Sequence, residues 1–130
     1  MSDPKINYMI AAGNVIQDAN TRKWSYIDIF NTVKILKGQD VSYQSFFVAG
    51  RINNVASGDA KDYVEITDPD NKQFAKVELT GRFDEGDAYF VALFPLMQFK
   101  IVGRYYFHFR HEGKLIPDGK EYYIDITKDE

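Results

Sequence analysis

Apolar and polar residues alternate along several stretches of the chain, and the most regular of these lies between Gly103 and Lys114. Its inward candidates are aromatic and share one parity: Tyr105, Phe107 and Phe109. The residues between them are Arg104, Tyr106, His108 and Arg110. Alternation with a period of two is typical of a β-strand that has one side in a core and the other in water. The stretch therefore predicts a half-buried strand with three rings on its inner face.

Segments of the same kind recur along the chain and are separated by turn-forming residues. They predict strands at residues 6–12, 24–30, 42–53, 62–67, 74–81, 88–94 and 122–127, in addition to 105–110. Residues 31–40 have no clear period and predict a crossover loop, and Pro95 is expected to end its strand's ladder. About eight strands without a helix predict one domain over residues 1–130. Its fold class is all-β, an antiparallel two-sheet β-sandwich of Ig-like or related Greek-key type.

The parity of each strand also predicts which side chains face the core. Tyr105 stands two residues after Gly103 at the start of a late strand. Some β-sandwiches place a tyrosine there whose hydroxyl bonds to backbone upstream and fixes the corner between the sheets. The residues expected inward are Tyr8, Ile10, Ile27, Ile29, Val48, Val64, Ile66, Val77, Leu79, Leu93, Tyr105, Phe107, Phe109, Ile124 and Ile126.

A polar run, Asp68-Pro69-Asp70-Asn71-Lys72, separates two of the predicted strands. Proline with Asp and Asn around it is typical of a tight turn. Asp68, Asp70 and Asn71 also have the spacing of calcium ligands, but a calcium loop needs further oxygen ligands downstream. Because the next residues are Gln and Phe, the pattern favours a hairpin turn over a calcium site.

Composition narrows the classes of function. The 130 residues include no cysteine, which excludes disulfides, thiolate metal sites and cysteine nucleophiles. Sixteen basic and nineteen acidic residues give a net charge of −3, which weighs against a dedicated nucleic-acid binder. The longest apolar run, residues 88–94, is much shorter than the roughly 20 residues that a spanning helix needs. These features predict a cytoplasmic protein that binds neither nucleic acid nor membrane.

Four stretches carry a resemblance to other proteins: INYMIAAGNVI, KWSYIDIFNTV, ITDPDNK and VGRYYFHFRHEGKL. Together they resemble a family of small uncharacterised bacterial β-sandwich proteins, Ig-like domains of unknown function. The likeness covers nearly the whole chain; it implies the fold and supplies no catalytic residues. The chain departs from the family pattern at Thr21-Arg22, where a glycine is usual, and at Asp28, where glycine or a small residue is usual.

The sequence contains no recognisable catalytic or cofactor motif. It lacks the Gly-x-Ser-x-Gly nucleophile pattern and both glycine-rich phosphate loops. Its two histidines, His108 and His111, stand three positions apart on one strand and so point to opposite faces, which makes a shared metal ion difficult. We expect solvated histidines, no metal, no cofactor and no enzymatic activity.

One face remains as a candidate for binding: the outward residues Arg104, Tyr106, His108 and Arg110, with Tyr123 and Thr127 added if the last strand pairs beside them. Tyrosine and arginine are enriched at interface anchors, although a merely solvated face and a sugar or nucleic-acid platform are alternatives. The prediction is a non-catalytic binding or assembly module that acts through a sheet face or edge, with a protein partner or self-association, burying about 800 Å² per subunit in a homodimer. The alternative is a small-molecule or carbohydrate binder, or an enzyme, with a site built from loops at one end of the sandwich.

Overall fold

The computed structural model describes residues 4–55, 58–59, 62–79, 82–83, 86–111, 113–116 and 121–129. Within these ranges the chain forms twelve strands and no helix. The strands are β1 (Lys5–Gln17), β2 (Trp24–Phe30), β3 (Thr32–Ile35), β4 (Ser42–Val55), β5 (Gly58–Asp59), β6 (Asp62–Thr67), β7 (Gln73–Leu79), β8 (Arg82–Phe83), β9 (Gly86–Phe99), β10 (Gly103–His111), β11 (Lys114–Ile116) and β12 (Tyr123–Lys128).

Most of these strands belong to two sheets. The four-stranded sheet has the order β2-β1-β4-β9, and the six-stranded sheet has the order β3-β12-β10-β6-β7 with β11 beside β10. In immunoglobulin lettering β1, β4 and β9 take the places of strands A, B and E, and β12, β10, β6 and β7 those of G, F, C and C′. The predicted Ig-like β-sandwich is confirmed. Its two sheets contain ten strands in the described ranges rather than about eight.

The core lies between the two sheets and is rich in aromatic rings. Phe99 packs edge-on against Tyr105, with ring centroids 5.2 Å apart, and stacks on Phe74. Phe46 stacks on Phe94 in the same layer. Eight of the residues predicted inward are fully buried: Val48, Val64, Ile66, Tyr105, Phe107, Phe109, Ile124 and Ile126. Val77 and Leu79 are partly buried against them.

Five of the residues predicted inward lie outside the core instead, all of them on strands of the four-stranded sheet. A register shift between Ile6 and Tyr8 changes the parity of β1, so that Met9 and Ala11 face the core. The prediction was therefore wrong for Tyr8 and Ile10, which are half-buried. It was also wrong for three residues of strands that carry apolar side chains at both parities: Ile27 (40% exposed), Ile29 (59%) and Leu93 (47%).

The tyrosine corner is confirmed. The hydroxyl of Tyr105 donates a hydrogen bond of 2.9 Å to the carbonyl of Ile101. Burial raises the pKa of Tyr105, which keeps the donor protonated. The predicted turn is confirmed as well, because Asp68 Oδ1 accepts backbone N–H groups from Asp70 and Lys72 at 2.9 Å.

Two local predictions were wrong. The expected crossover loop contains β3, which pairs in parallel with β12 at the edge of the six-stranded sheet. Pro95 does not end its strand either. β9 continues to Phe99 through a bulge, where Ser45 faces both Pro95 and Leu96 and its hydroxyl accepts the Leu96 N–H at 2.8 Å. An edge strand tolerates proline because the backbone N–H groups on its outer side have no neighbouring strand to bond.

Candidate functional site

The predicted binding face is the outer face of the six-stranded sheet, and its charged groups bind one another. Arg104 makes a bidentate pair with Asp125, with Nε 2.8 Å from Oδ1, and its guanidinium lies 3.8 Å from the centroid of the Tyr123 ring. The hydrogen bond to Asp125 raises the pKa of Arg104. Tyr106 meets the same Tyr123 ring edge-on. The predicted residues are thus brought together, with their cations already neutralised.

Arg110 also binds other groups of this face. Its Nη2 lies 3.1 Å from Glu65 Oε2 and its Nη1 donates to the carbonyl of Gly113 at 2.9 Å. Lys76 on β7 lies over the Tyr63 ring at 4.2 Å. On this face arginine and lysine side chains therefore contact groups of the face itself. Whether the face also binds a partner stays a prediction.

Both histidines are buried, which corrects the expectation of solvated side chains. His108 is 7% exposed, because it lies among neighbouring strands of a wide sheet, and its Nε2 lies 3.1 Å from the Thr67 hydroxyl. His111 points to the other side of the sheet, as the spacing predicted. There its Nδ1 lies 2.9 Å from Oδ1 of the fully buried Asp62.

The outer face of the four-stranded sheet has a different composition. Cross-strand pairing aligns its outward residues in rows that run across the strands. The rows are Ile29–Ala12–Phe47–Leu93, then Ile10–Ala49–Val91, then Tyr8–Arg51–Tyr89. The first two rows are wholly apolar and the third is aromatic with one cation.

The β1–β2 hairpin bends back over this aromatic row. Tyr26 pairs with Val15, seven residues along β1 from Tyr8. A straight strand would separate those two positions by about 23 Å. The hydroxyls of Tyr8 and Tyr26 nevertheless share a hydrogen bond of 2.7 Å. The tip of the hairpin must therefore curve toward the sheet.

The bend coincides with unusual backbone geometry. Asp28 has φ +57°, in the left-handed region. Gly13 lies opposite it, and a Cβ at Gly13 would stand 3.2 Å from the Asp28 Cβ. Arg22, in the loop at the tip, also has a positive φ, +62°. Arg22 and Asp28 are thus both positions whose backbone conformation favours glycine.

A cleft of about 350 Å³ lies between the bent hairpin and the sheet. Its lining residues are Tyr8, Arg22, Lys23, Trp24, Tyr26 and Tyr89. The hairpin supplies Trp24, whose ring centroid lies 6.5 Å from that of Tyr89 on β9, with an angle of 37° between the planes. We call this space the aromatic cleft.

The electrostatics of the aromatic cleft combine cations with neutral hydroxyls. Arg22 and Lys23 line the cleft, and the guanidinium of Arg51 lies 5.6 Å from the centroid of the Tyr89 ring. Burial, and the hydrogen bond with Tyr8, raise the pKa of Tyr26 well above its ordinary value. Its hydroxyl therefore stays protonated and remains a hydrogen-bonding group.

Sequence reasoning missed the aromatic cleft. The available signal was that residues 24–30 carry apolar side chains at both parities, with the chain's one tryptophan directly after two cations. Such a strand has to be covered on both sides or bent. No periodicity rule specifies that the hairpin folds onto the outer face.

A second depression, of about 480 Å³, lies where the loop after β3 meets β4. Its lining residues are Lys34, Leu36, Gln39, Val41, Ser42, Tyr43 and Gln44. Among these lining residues only Tyr43 has an aromatic ring. It lacks the paired rings that distinguish the aromatic cleft.

Comparison with known proteins leaves function open. No family model matches the chain, and no curated protein matches it significantly. The solved structure of an immunoglobulin-like protein from Pseudomonas aeruginosa is similar over 96% of this chain and 97% of its own, with 11% sequence identity and a TM-score of 0.45. The likeness is too remote to inform function. The predicted bacterial family and the cytoplasmic location both stay predictions.

The described residues include no helical segment with the length and hydrophobicity that crossing a bilayer requires.

Proposed function

We propose that the protein is a non-catalytic binding module that acts through the outer face of its four-stranded sheet, at the aromatic cleft. The observation that carries this proposal is the bent hairpin, which sets Trp24 and Tyr26 against Tyr89 and Tyr8 of the sheet. Clefts of a few hundred Å³ with rings and a few polar groups are the usual form of ligand sites. The proposed site differs from an end-loop site, because its four rings lie on strands and only Arg22 and Lys23 come from a loop.

The chemistry of the lining supports binding rather than catalysis. General acid–base catalysis uses groups with a pKa near the working pH, most often histidine or a carboxylate. The residues that line the aromatic cleft are tyrosines, a tryptophan, an arginine and a lysine. The buried pair of His111 and Asp62 belongs to the core side of the other sheet. The lining offers groups that hold a ligand and none that readily exchanges protons at neutral pH.

The face around Tyr106 and Tyr123 is the second candidate, as a contact for a protein partner or another copy of the chain. Its two rings pack together at the surface, which suits an interface anchor. Arg104 and Arg110 would contribute less to such a contact, since their guanidinium groups already bind Asp125 and Glu65.

Two matched double variants separate the faces. Trp24→Ala with Tyr89→Ala removes two rings from the aromatic cleft. Tyr106→Ala with Tyr123→Ala removes two rings from the other sheet. Each purified protein, checked for an unchanged circular dichroism spectrum, is immobilised and exposed to host-cell extract fractionated into proteins and glycans. Sedimentation of each protein alone reports self-association.

We expect the cleft variant to lose retained material that the wild type and the other variant keep. Loss only in the Tyr106–Tyr123 variant would move the site to the six-stranded sheet. Equal retention by all three proteins would exclude both faces.

A further inference from the structure

We infer that the aromatic cleft binds an acidic carbohydrate, a sugar ring that carries a carboxylate. This inference rests on the proposed function and adds the chemical class of the ligand. It combines three properties of the cleft: an open pair of rings, neutral hydroxyls that both donate and accept, and two loop cations, Arg22 and Lys23, that have no carboxylate partner among the described residues.

The rings suit the apolar side of a sugar. Trp24 and Tyr89 lie 6.5 Å apart and their planes diverge by 37°. An open wedge of this kind lets one aromatic face contact the C–H groups of a pyranose while its hydroxyl groups point to the rim. A flat nucleobase held between two rings would need nearly parallel walls, which the 37° angle does not provide.

The hydroxyls suit the polar edge of a sugar. Tyr8 and Tyr26 share one hydrogen bond of 2.7 Å, so one of their two protons and several lone pairs stay available for a ligand. The raised pKa of Tyr26 keeps that group neutral. Neutral hydroxyls pair readily with sugar hydroxyls, which also donate and accept.

The charges add a preference for an acid. Arg22 and Lys23 line the aromatic cleft on a hairpin loop. The ion pairs found within the described residues leave Arg22 and Lys23 without a carboxylate. These two cations belong to a chain with a net charge of −3, which disfavours long polyphosphates but not one or two carboxylates.

Trp24 is the only tryptophan, so the fluorescence of the unmodified protein reports on the cleft directly. The full chain is titrated with trigalacturonic acid, with cellotriose as the neutral sugar of equal length, and with a short oligothymidylate as the nucleic acid. We expect a saturable change in Trp24 emission with trigalacturonic acid, weakened at high salt because the attraction between charges is screened.

Charge and ring variants test the assignment separately. Arg22→Gln with Lys23→Gln should weaken trigalacturonic acid binding at least about tenfold, corresponding to one lost charge-assisted hydrogen bond. Tyr89→Ala should weaken it by a similar factor. Lys72→Gln with Lys114→Gln removes two exposed cations that do not line the cleft, and this matched control should leave binding unchanged.

The outcomes are distinct. Equal binding of cellotriose, insensitive to Arg22→Gln with Lys23→Gln, overturns the preference for an acid. A response to oligothymidylate alone overturns the carbohydrate class. If no probe binds while the Trp24→Ala and Tyr89→Ala variant still loses host material, the ligand class is wrong and the proposed function stands. If the cleft variants lose nothing in either experiment, both fail.

Discussion

The two outer faces of this sandwich use the same residue types in opposite ways. On the six-stranded sheet Arg104 and Arg110 bind Asp125 and Glu65. On the four-stranded sheet the outward rows are apolar and aromatic, and Arg22 and Lys23 line a cleft. The charged groups of the first face bind one another and so stabilise the fold. The aromatic face, with cations in a cleft, is the one that we propose binds a ligand, and position in the sequence pattern does not distinguish the two.

The largest expected loss of stability comes from a substitution at Gly50, in the sheet that carries the aromatic cleft. A Cβ at Gly50 would lie 2.2 Å from the carbonyl oxygen of Tyr8 and 2.6 Å from the Phe90 ring, so β1 and β4 cannot keep their spacing. Gly50→Ala should lower the free energy of unfolding by about 3 kcal/mol, measured by urea denaturation. Tyr43→Ala, at an exposed site on the same strand, is the control and should cost much less. Equal values for both would contradict the close approach.

The next effect concerns the self-neutralised face. Arg110→Leu leaves the nearly buried carboxylate of Glu65 without its partner and should cost about 2 kcal/mol. Glu65→Leu combined with Arg110→Leu should restore most of that loss, since neither charge is then stranded. A double-mutant cycle measures the coupling energy between Arg110 and Glu65. Additive losses would show that the two side chains do not depend on each other.

The corner between the sheets gives a smaller effect. Tyr105→Phe removes the hydroxyl bond to Ile101 and should destabilise by about 0.5–1.5 kcal/mol. Chemical denaturation of the variant measures it. An unchanged midpoint would mean that the bond contributes nothing net.

A gain is expected at the bend. Asp28→Gly relieves a left-handed φ of +57° and should stabilise by about 0.5–1 kcal/mol, net of the entropy that glycine loses on folding. Trp24 emission should stay as in the wild type if the hairpin keeps its position. A loss of stability would show that the Asp28 side chain, rather than the backbone, maintains the bend.

The smallest expected change in stability appears only at alkaline pH. In the folded protein the pKa of Tyr26 lies above its ordinary value of 10.0, so above pH 10 the unfolded state releases a proton that the folded state keeps. Stability should therefore fall as the pH rises past 10, and less so in Tyr26→Phe. Denaturation midpoints at pH 8 and pH 11 compare the two proteins. Identical losses would place the alkaline sensitivity elsewhere.

Period-two alternation predicted much of the fold. It identified the strand of Tyr105 and the hairpin at Asp68 because each has one clean apolar side. It failed where both parities are apolar, as at Leu93, and where a register shift changes parity, as after Ile6. It also could not identify which charges pair, because Arg110 and Glu65 are far apart in sequence and meet only in the sheet. The aromatic cleft depends on a bend at Asp28, and alternation carries no information about bends.

Both edges of the four-stranded sheet are interrupted by a residue with positive φ: Asp28 in β2 and Leu96, at +44°, in β9. Pro95 adds a position without an N–H group next to Leu96. A straight edge with a full row of free donors and acceptors is a template on which strands of other molecules can add, which leads to aggregation. The interruptions in β2 and β9 leave an added strand without a continuous row of hydrogen-bond partners. The chain can therefore present an apolar outer face in a crowded solution while its sheet resists growth by strand addition.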